Sequence, residues 1–350
     1  LVRHDPLRRH TFHRASAIQR ASHPHPGSRT LTLACACARE ERGGRRRQRR
    51  HRSVRMSPIT LALPAGYRSA EVLAFHGRDL EGAAEQVGPD RIRKGVMLDG
   101  VPIALDVRLT PTAAVCQIEA DAALTSRTQQ LVQEALLNIL GLRIDPAPFL
   151  ASATDDALLG PIVRSQPNLR IVQSATIFEA LTWAIIGQQI NLAFAITLRR
   201  TFIVQAGRRH SSGLWCYPEA GDVARLDPAE LTARKFSRAK ADTVLRLARL
   251  VDDGALRLDR ADDIDTACAA LLAVKGIGPW TVNYALLRGY GYADCSLHGD
   301  VAIRAAFQRL LGEDAKPSIA RTETLLERYA PHRTMAAAYL WASLHPATSE

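Results

Sequence analysis

The sequence predicts an α+β protein: a small antiparallel α+β layer at the front of the chain, followed by a larger and almost wholly helical region. Three observations predict it. Over Ile59–Leu63, Val101–Leu109 and Ala114–Ala120 apolar residues recur with period two, the side-chain repeat of half-buried strands. Beyond Asp145-Pro146-Ala147-Pro148 they recur with the 3.6-residue period of helices. Gly and Pro then punctuate the chain at helix-length intervals, at Gly187, Gly207, Pro218, Gly276, Gly278 and Pro331.

The chain begins with a leader, residues 1–55, that holds fifteen Arg, no Lys and three acids. Such a composition buries too little apolar surface to offset the entropy of ordering, which predicts disorder. Three readings stay open for it: a start placed upstream of a true initiator at Met56, a basic tail that loosely tethers nucleic acid, or an Arg- and Ser-rich transit segment. Residues 56–145 form the α+β domain. Ile59, Leu61 and Leu63 alternate as a first strand, and residues 69–87 read as a helix. Asp99-Gly100 is a two-residue hairpin turn joining Val96 and Leu98 to the alternating run Val101–Leu109. Ala114, Cys116, Ile118 and Ala120 continue as a further strand. A helix over 127–141 carries Leu131, Val132, Ala135, Leu136, Ile139 and Leu140 on one face. In residues 146–350 the spacing predicts helices over 176–187, 191–206, 228–234, 238–252, 262–273, 279–289, 300–311, 319–328 and 333–344.

Charge and cysteine usage bound the function. The chain of 350 residues carries a net +11, yet the leader alone accounts for +12 and leaves residues 56–350 at −1. The body is neutral, so any polyanion must be held by a local patch or by backbone N–H groups. No apolar run reaches the ~18 residues of a membrane helix. Cys35, Cys37, Cys116, Cys216, Cys268 and Cys295 form no CxxC pair. A zinc ribbon, an iron–sulfur cluster and a disulfide framework are therefore disfavoured, and a reduced intracellular protein, cytoplasmic in location, is expected.

The most informative stretch is Val274-Lys275-Gly276-Ile277-Gly278-Pro279-Trp280-Thr281-Val282. One helix runs into Gly-x-Gly and a second opens at Pro279, a residue suited to a first helical position. The glycines permit a tight turn and clear side chains from its outer surface. N–H groups of the turn and of the next helix can then face an anion, aided by the helix dipole, and Lys275 adds one positive charge. A plain interhelical turn is the alternative. Tyr284, four residues after Trp280, lies on the same helix face. Twenty residues beyond Trp280, Asp300 opens an amphipathic helix. An Asp there is a favoured N-cap. It is also a carboxylate whose charged form the dipole favours, as a positively charged sugar would require. The residues alone leave both roles open.

The full string at 274–282 resembles the helix-hairpin-helix motif of DNA repair glycosylases, and hairpin, helix, then Gly299-Asp300 follows that superfamily's layout. From about Ile59 to His345 the chain is similar to the DNA-3-methyladenine glycosylase II family, through Phe178-Glu179-Ala180, Ile185-Ile186-Gly187-Gln188-Gln189-Ile190, Gly276 to Tyr284, and Asp300. The resemblance implies an N-terminal α+β domain on two helical subdomains with the active site between them, and the helix-hairpin-helix at 266–289. It implies Asp300 as the catalytic carboxylate and Trp280, Tyr284, Trp341 and Phe75 as aromatic pocket walls. Gln189 would enter the minor groove beside a flipped-out nucleotide, while Lys275, Gly276, Ile277, Gly278 and Thr281 would meet the DNA backbone. Family members that also nick the strand carry a Lys nucleophile where this chain has Trp280, which favours a monofunctional hydrolase of alkylated purines. A non-catalytic damage binder and a bifunctional glycosylase/lyase are the alternatives. Val301 replaces a Tyr of some relatives. His298 reads as an incidental loop residue and Arg304 as half of an ion pair. Duplex DNA with alkylated bases is the expected partner, acted on by a monomer. Neither metal nor organic cofactor is expected, apart from the monovalent cation that family members often hold on the hairpin carbonyls.

Overall fold

The computed structural model describes residues 53–344; the disorder expected of the leader falls, but for its last three residues, outside them. Those last residues enter the sheet. The strands are β1 (Val54–Arg55), β2 (Ile59–Ala62), β3 (Glu85–Val87), β4 (Arg91–Leu98), β5 (Val101–Leu109) and β6 (Ala113–Ala120), in the order β1-β6-β5-β4-β3 with β2 also on β6. Every pairing among them is antiparallel. Leu98 faces Val101 across Asp99 and Gly100, both at positive φ (54° and 76°), the two-residue turn whose twist matches its strands. Alternate residues Ile103, Leu105 and Val107 bury against Val132, Ala135, Leu136 and Ile139 of α2 (Ser126–Ile139), which explains the period-two pattern.

The helix expected over 69–87 is shorter. α1 spans Ser69–His76 and ends at Gly77. The chain then turns through Gly82, at φ +59°, and Glu85–Val87 becomes the edge strand beside Lys94, Arg93 and Ile92. Edge pairing on β4 overrides the helical spacing of this stretch.

Beyond α2 the chain is helical: α3 (Ala147–Ala153), α4 (Gly160–Ser165), α5 (Ile177–Gly187), α6 (Leu192–Ala206), α7 (Ala220–Ala224), α8 (Pro228–Thr232), α9 (Arg238–Asp252), α10 (Ile264–Leu272), α11 (Pro279–Ala285), α12 (Val301–Leu311), α13 (Ile319–Glu327) and α14 (Arg333–Ser343). Thr176, Asn191, Ser237, Asp263 and Ser318 each cap a helix by accepting a backbone N–H, the capping expected of their residue types. α11 runs on into a π-turn at Leu286–Tyr290. Residues of these helices share one apolar core, separate from the core under the sheet. No helix among the described residues is long and apolar enough to cross a membrane.

Two features bind sheet to helices. The short hairpin β7 (Arg208–Arg209) and β8 (Trp215–Cys216) brings Tyr217 against the edge of β4, where Tyr217 N–H donates to the Gly95 carbonyl and Met97 N–H to that of Tyr217. A Cβ on Gly95 would lie 2.0 Å from the Trp215 carbonyl oxygen, so this approach needs glycine. The second is a buried charge cluster. Lys94, 1% exposed, donates to Glu85 at 2.6 Å and to Glu179 of α5 at 2.8 Å. Arg199 of α6 closes the square, at 2.8 Å from Glu85 and 2.7 Å from Glu179.

Burial alone would raise the Glu85 carboxyl, but Arg199, Lys94 and the bond to His76 outweigh it and hold the group well below its ordinary 4.5. Its contribution to stability is therefore present above that value and drains away as pH falls below it. Removing one partner leaves a buried charge uncompensated. Lys94→Met should lower the unfolding free energy by about 3–5 kcal/mol, measured by urea denaturation, with the wild type losing this increment on acidification below its carboxylate range.

Candidate active site

The Gly-x-Gly hairpin lies between α10 and α11. Gly276 sits at φ +99°, a region that favours glycine, and a Cβ there would stand 2.1 Å from Thr243 Oγ1 of α9. Gly278 keeps a negative φ of −108° and serves as N-cap of α11, with open space where its Cβ would be. Its lack of a side chain exposes the N-terminal turn of α11, where unpaired N–H groups favour an anion. Helix α9 braces the hairpin from behind: beside Thr243, Arg246 donates to the Lys275 carbonyl at 3.0 Å. Lys240 donates to the Ile186 carbonyl at 2.7 Å and so ties down the end of α5.

The turn from α5 to α6 stands across from the hairpin. Gln188 joins the two, donating to Thr281 Oγ1 at 2.9 Å and to the Gly276 carbonyl at 3.2 Å. Gln189 is exposed at φ +55° on the rim, a left-handed conformation uncommon for a residue with a side chain. Such local strain clusters at functional sites. Leu192, 55% exposed, stands on the same rim.

Between hairpin, rim and the start of α12 opens a cleft of about 1130 Å³, at the large end for ligand sites. Asp300 stands in its wall as N-cap of α12. Its Oδ1 accepts from the backbone N–H groups of Ala302 (2.9 Å) and Ile303 (3.0 Å) and from Trp341 Nε1 of α14 (3.2 Å). Among the described residues its Oδ2 accepts only from Trp280 Nε1, at 2.9 Å. The residue is thus both helix cap and cleft carboxylate, and Oδ2 keeps acceptor capacity toward the cleft. Trp280 stacks on Tyr284 with ring centroids 5.2 Å apart, and Tyr284 Oη accepts from Trp183 Nε1 at 3.0 Å.

The residues singled out from sequence divide by position. Asp300, Trp280, Tyr284, Trp341, Gln189, Gly276, Gly278 and Thr281 all line this cleft. Phe75 does not: it lines a smaller chamber behind, with the Arg78 guanidinium 3.8 Å above its ring. The Ile277 side chain is buried in the helical core, leaving only its backbone to meet DNA, and Thr281 is buried with its hydroxyl engaged by Gln188. Lys275 is exposed beside the hairpin, outside the cleft lining. Arg304 donates to the Pro317 carbonyl rather than to an acid. His298 pairs with Ser296 Oγ at 2.9 Å. Val301 stands 60% exposed at the cleft edge. Lys275 and Gly276 carbonyls each accept one side-chain bond and keep a second lone pair, neutral oxygen donors of the kind a monovalent cation takes.

Sequence reasoning missed Trp183, Gln188, Arg78 and Arg288, all in the cleft lining. Arg288 was within reach, since it follows Tyr284 by four residues and Trp280 by eight, the spacing of one helix face. Trp183 sits in α5, apolar nearly all round, where an aromatic reads as core. At the hairpin, Gly276→Ala should lower the unfolding free energy by about 1–3 kcal/mol, and a second change, Thr243→Ala, should recover the steric part; thermal unfolding of both variants measures it.

The geometry can be set beside known proteins. The profile of HhH-GPD superfamily base excision DNA repair proteins matches residues 182–332, which take in the cleft rim, the hairpin and Asp300. DNA-3-methyladenine glycosylase of Bacillus subtilis is 32% identical over 209 residues, covering 57% of this chain and 68% of that protein. DNA-3-methyladenine glycosylase 2 of Escherichia coli is 29% identical over 185 residues, covering 52% and 63%. The 3-methyladenine DNA-glycosylase of Archaeoglobus fulgidus shares the fold, with a TM-score of 0.70 at 20% identity over 81% of this chain and 97% of that one. With its helix-hairpin-helix, its cleft and its carboxylate, the chain belongs to the DNA-3-methyladenine glycosylase family of the HhH-GPD superfamily.

Proposed function

We propose that this protein is a monofunctional DNA glycosylase that flips an alkylated purine out of duplex DNA and hydrolyses its N-glycosidic bond, leaving an abasic site. The observation that carries this reading is Asp300, held by four N–H donors in the wall of a cleft that the hairpin borders. As the base departs, positive charge develops on the sugar. A carboxylate already fixed in place stabilises that charge without reorganising. Oδ2, the oxygen with a single donor, is the one we assign to the sugar and to the water that attacks it.

The neutral body can still hold DNA. Backbone N–H groups at the hairpin and the start of α11 would take a phosphate, and a monovalent cation on the hairpin carbonyls would add positive charge beside it. Gln189, on the rim and already in a strained backbone conformation, would fill the space the flipped nucleotide leaves. Strand cleavage through a Schiff base needs an amine in the cleft, and no lysine is among the residues lining it. Lys240 is committed to the Ile186 carbonyl. The cysteines among the described residues are free thiols, which supports an intracellular protein, and we read it as acting as a monomer.

Asp300→Asn should lower single-turnover release of free base from methylated duplex DNA by about 10²–10³-fold while binding of abasic DNA persists. Binding without release by the wild type would leave a damage-recognition protein with Asp300 as a helix cap. A covalent DNA adduct trapped by borohydride would favour a glycosylase/lyase.

A further inference from the structure

Beside the cleft lies a small chamber of about 30 Å³, and Arg78, Trp183, Tyr284 and Arg288 line both spaces. The charges around the chamber do not cancel. Glu85 and Glu179 are matched by Lys94 and Arg199, and Asp79 is matched by Arg200 at 3.0 Å. Arg78 and Arg288 are left without a carboxylate partner among the described residues. Arg78 donates to the Phe75 carbonyl at 2.8 Å. Arg288 donates to the Val172 carbonyl, and its buried Nε has no partner among the described residues. Burial lowers both guanidiniums from their ordinary value, Arg78 to about 10; a guanidinium is not deprotonated in a protein and stays a cation.

These cations also occupy aromatic surface. Arg78 stands 3.8 Å over the Phe75 ring, while Arg288 lies 4.9 Å from Phe75 and 5.5 Å from Trp341. The Phe75 and Trp341 faces, which would attract a cationic base by their quadrupole, thus already hold guanidiniums. A cationic purine in the cleft, whose lining includes Arg78 and Arg288, meets two like charges. A neutral purine does not, and its departure makes the same charges useful.

We propose that Arg288, seconded by Arg78, is a specificity determinant that turns this glycosylase toward neutral purine lesions by stabilising the negative charge of the departing base. This rests on the glycosylase reading above. When C1′–N bond cleavage sends its electron pair to the base, an N-alkylated cationic purine leaves neutral, whereas a neutral purine leaves as an anion. Water supplies the new oxygen on C1′ and loses a proton to Asp300, and the departed anion takes up a proton from solvent. The anion is the species a nearby fixed positive charge favours. The cationic lesion needs no such help.

The test is single-turnover release from duplexes carrying either hypoxanthine or 7-methylguanine, each rate divided by its spontaneous rate. The ratio of the two accelerations, neutral over cationic, should fall at least about tenfold in Arg288→Met and stay near wild type in Arg288→Lys. Arg78→Met, which removes the second charge, should lower it in the same direction and carries the test should Arg288→Met not fold. An unchanged or raised ratio in the Met variants, with both bases still released, overturns the inference alone. Release of neither base by the wild type overturns the glycosylase reading and the inference with it.

Discussion

The site depends on four N–H groups meeting one carboxylate. Two come from the first turn of α12, one from Trp280 next to the hairpin and one from Trp341 on α14. Asp300 therefore fixes the relative placement of three helices as much as they fix it. A cap at a helix N-terminus is ordinary chemistry. What makes this one different is the asymmetry between its oxygens. Three donors converge on Oδ1, and only the Trp280 indole reaches Oδ2, which is thereby left able to meet something in the cleft. Structural and chemical roles are two halves of one hydrogen-bond arrangement.

The same economy holds at the hairpin. A body of net charge −1 cannot draw DNA by bulk attraction, so contact has to be built from backbone dipoles. Gly276 takes the one positive φ of the turn, and Gly278 clears the entrance to α11. Neither would hold its shape alone. Thr243 and Arg246 of α9 press on the turn, and Gln188 laces it to the rim that carries Gln189. Hairpin and rim are thus set at a fixed spacing, which the proposed function would use to grip a backbone on one side of the cleft and enter the groove on the other.

Much of this is legible in the amino-acid sequence alone. Strand periodicity gave β4 to β6 because one face of each strand packs on α2, and the Asp99-Gly100 turn carries its own geometry. The Gly-x-Gly string and the Asp twenty residues after Trp280 are local patterns, so the resemblance they carry could be read residue by residue. What was hidden is long-range. Glu85–Val87 reads as helix until β4 is there to pair with it. Tyr217 on the sheet edge depends on Gly95, more than a hundred residues earlier. Phe75 is aromatic, yet Arg78, three residues on, and Arg288 from another element both lie against its ring, and no spacing rule predicts the arrival of the second. Burial of Ile277 and Thr281 follows from helix packing that composition does not reveal.

The cleft lining carries Asp300 and also the Arg78 and Arg288 guanidiniums, which have no carboxylate partner among the described residues. In the proposed reaction Asp300 would meet the sugar and the guanidiniums the departing base. The most direct test of the central claim is the affinity of the protein for duplex DNA bearing a cationic pyrrolidine in place of the sugar, against the same duplex with a neutral tetrahydrofuran. If Asp300 stabilises charge on the departing sugar, the wild type binds the cationic duplex more tightly by about 10²-fold or more, and Asp300→Asn erases that preference while still binding the neutral one. An equal preference in the wild type and the Asn variant would contradict the account.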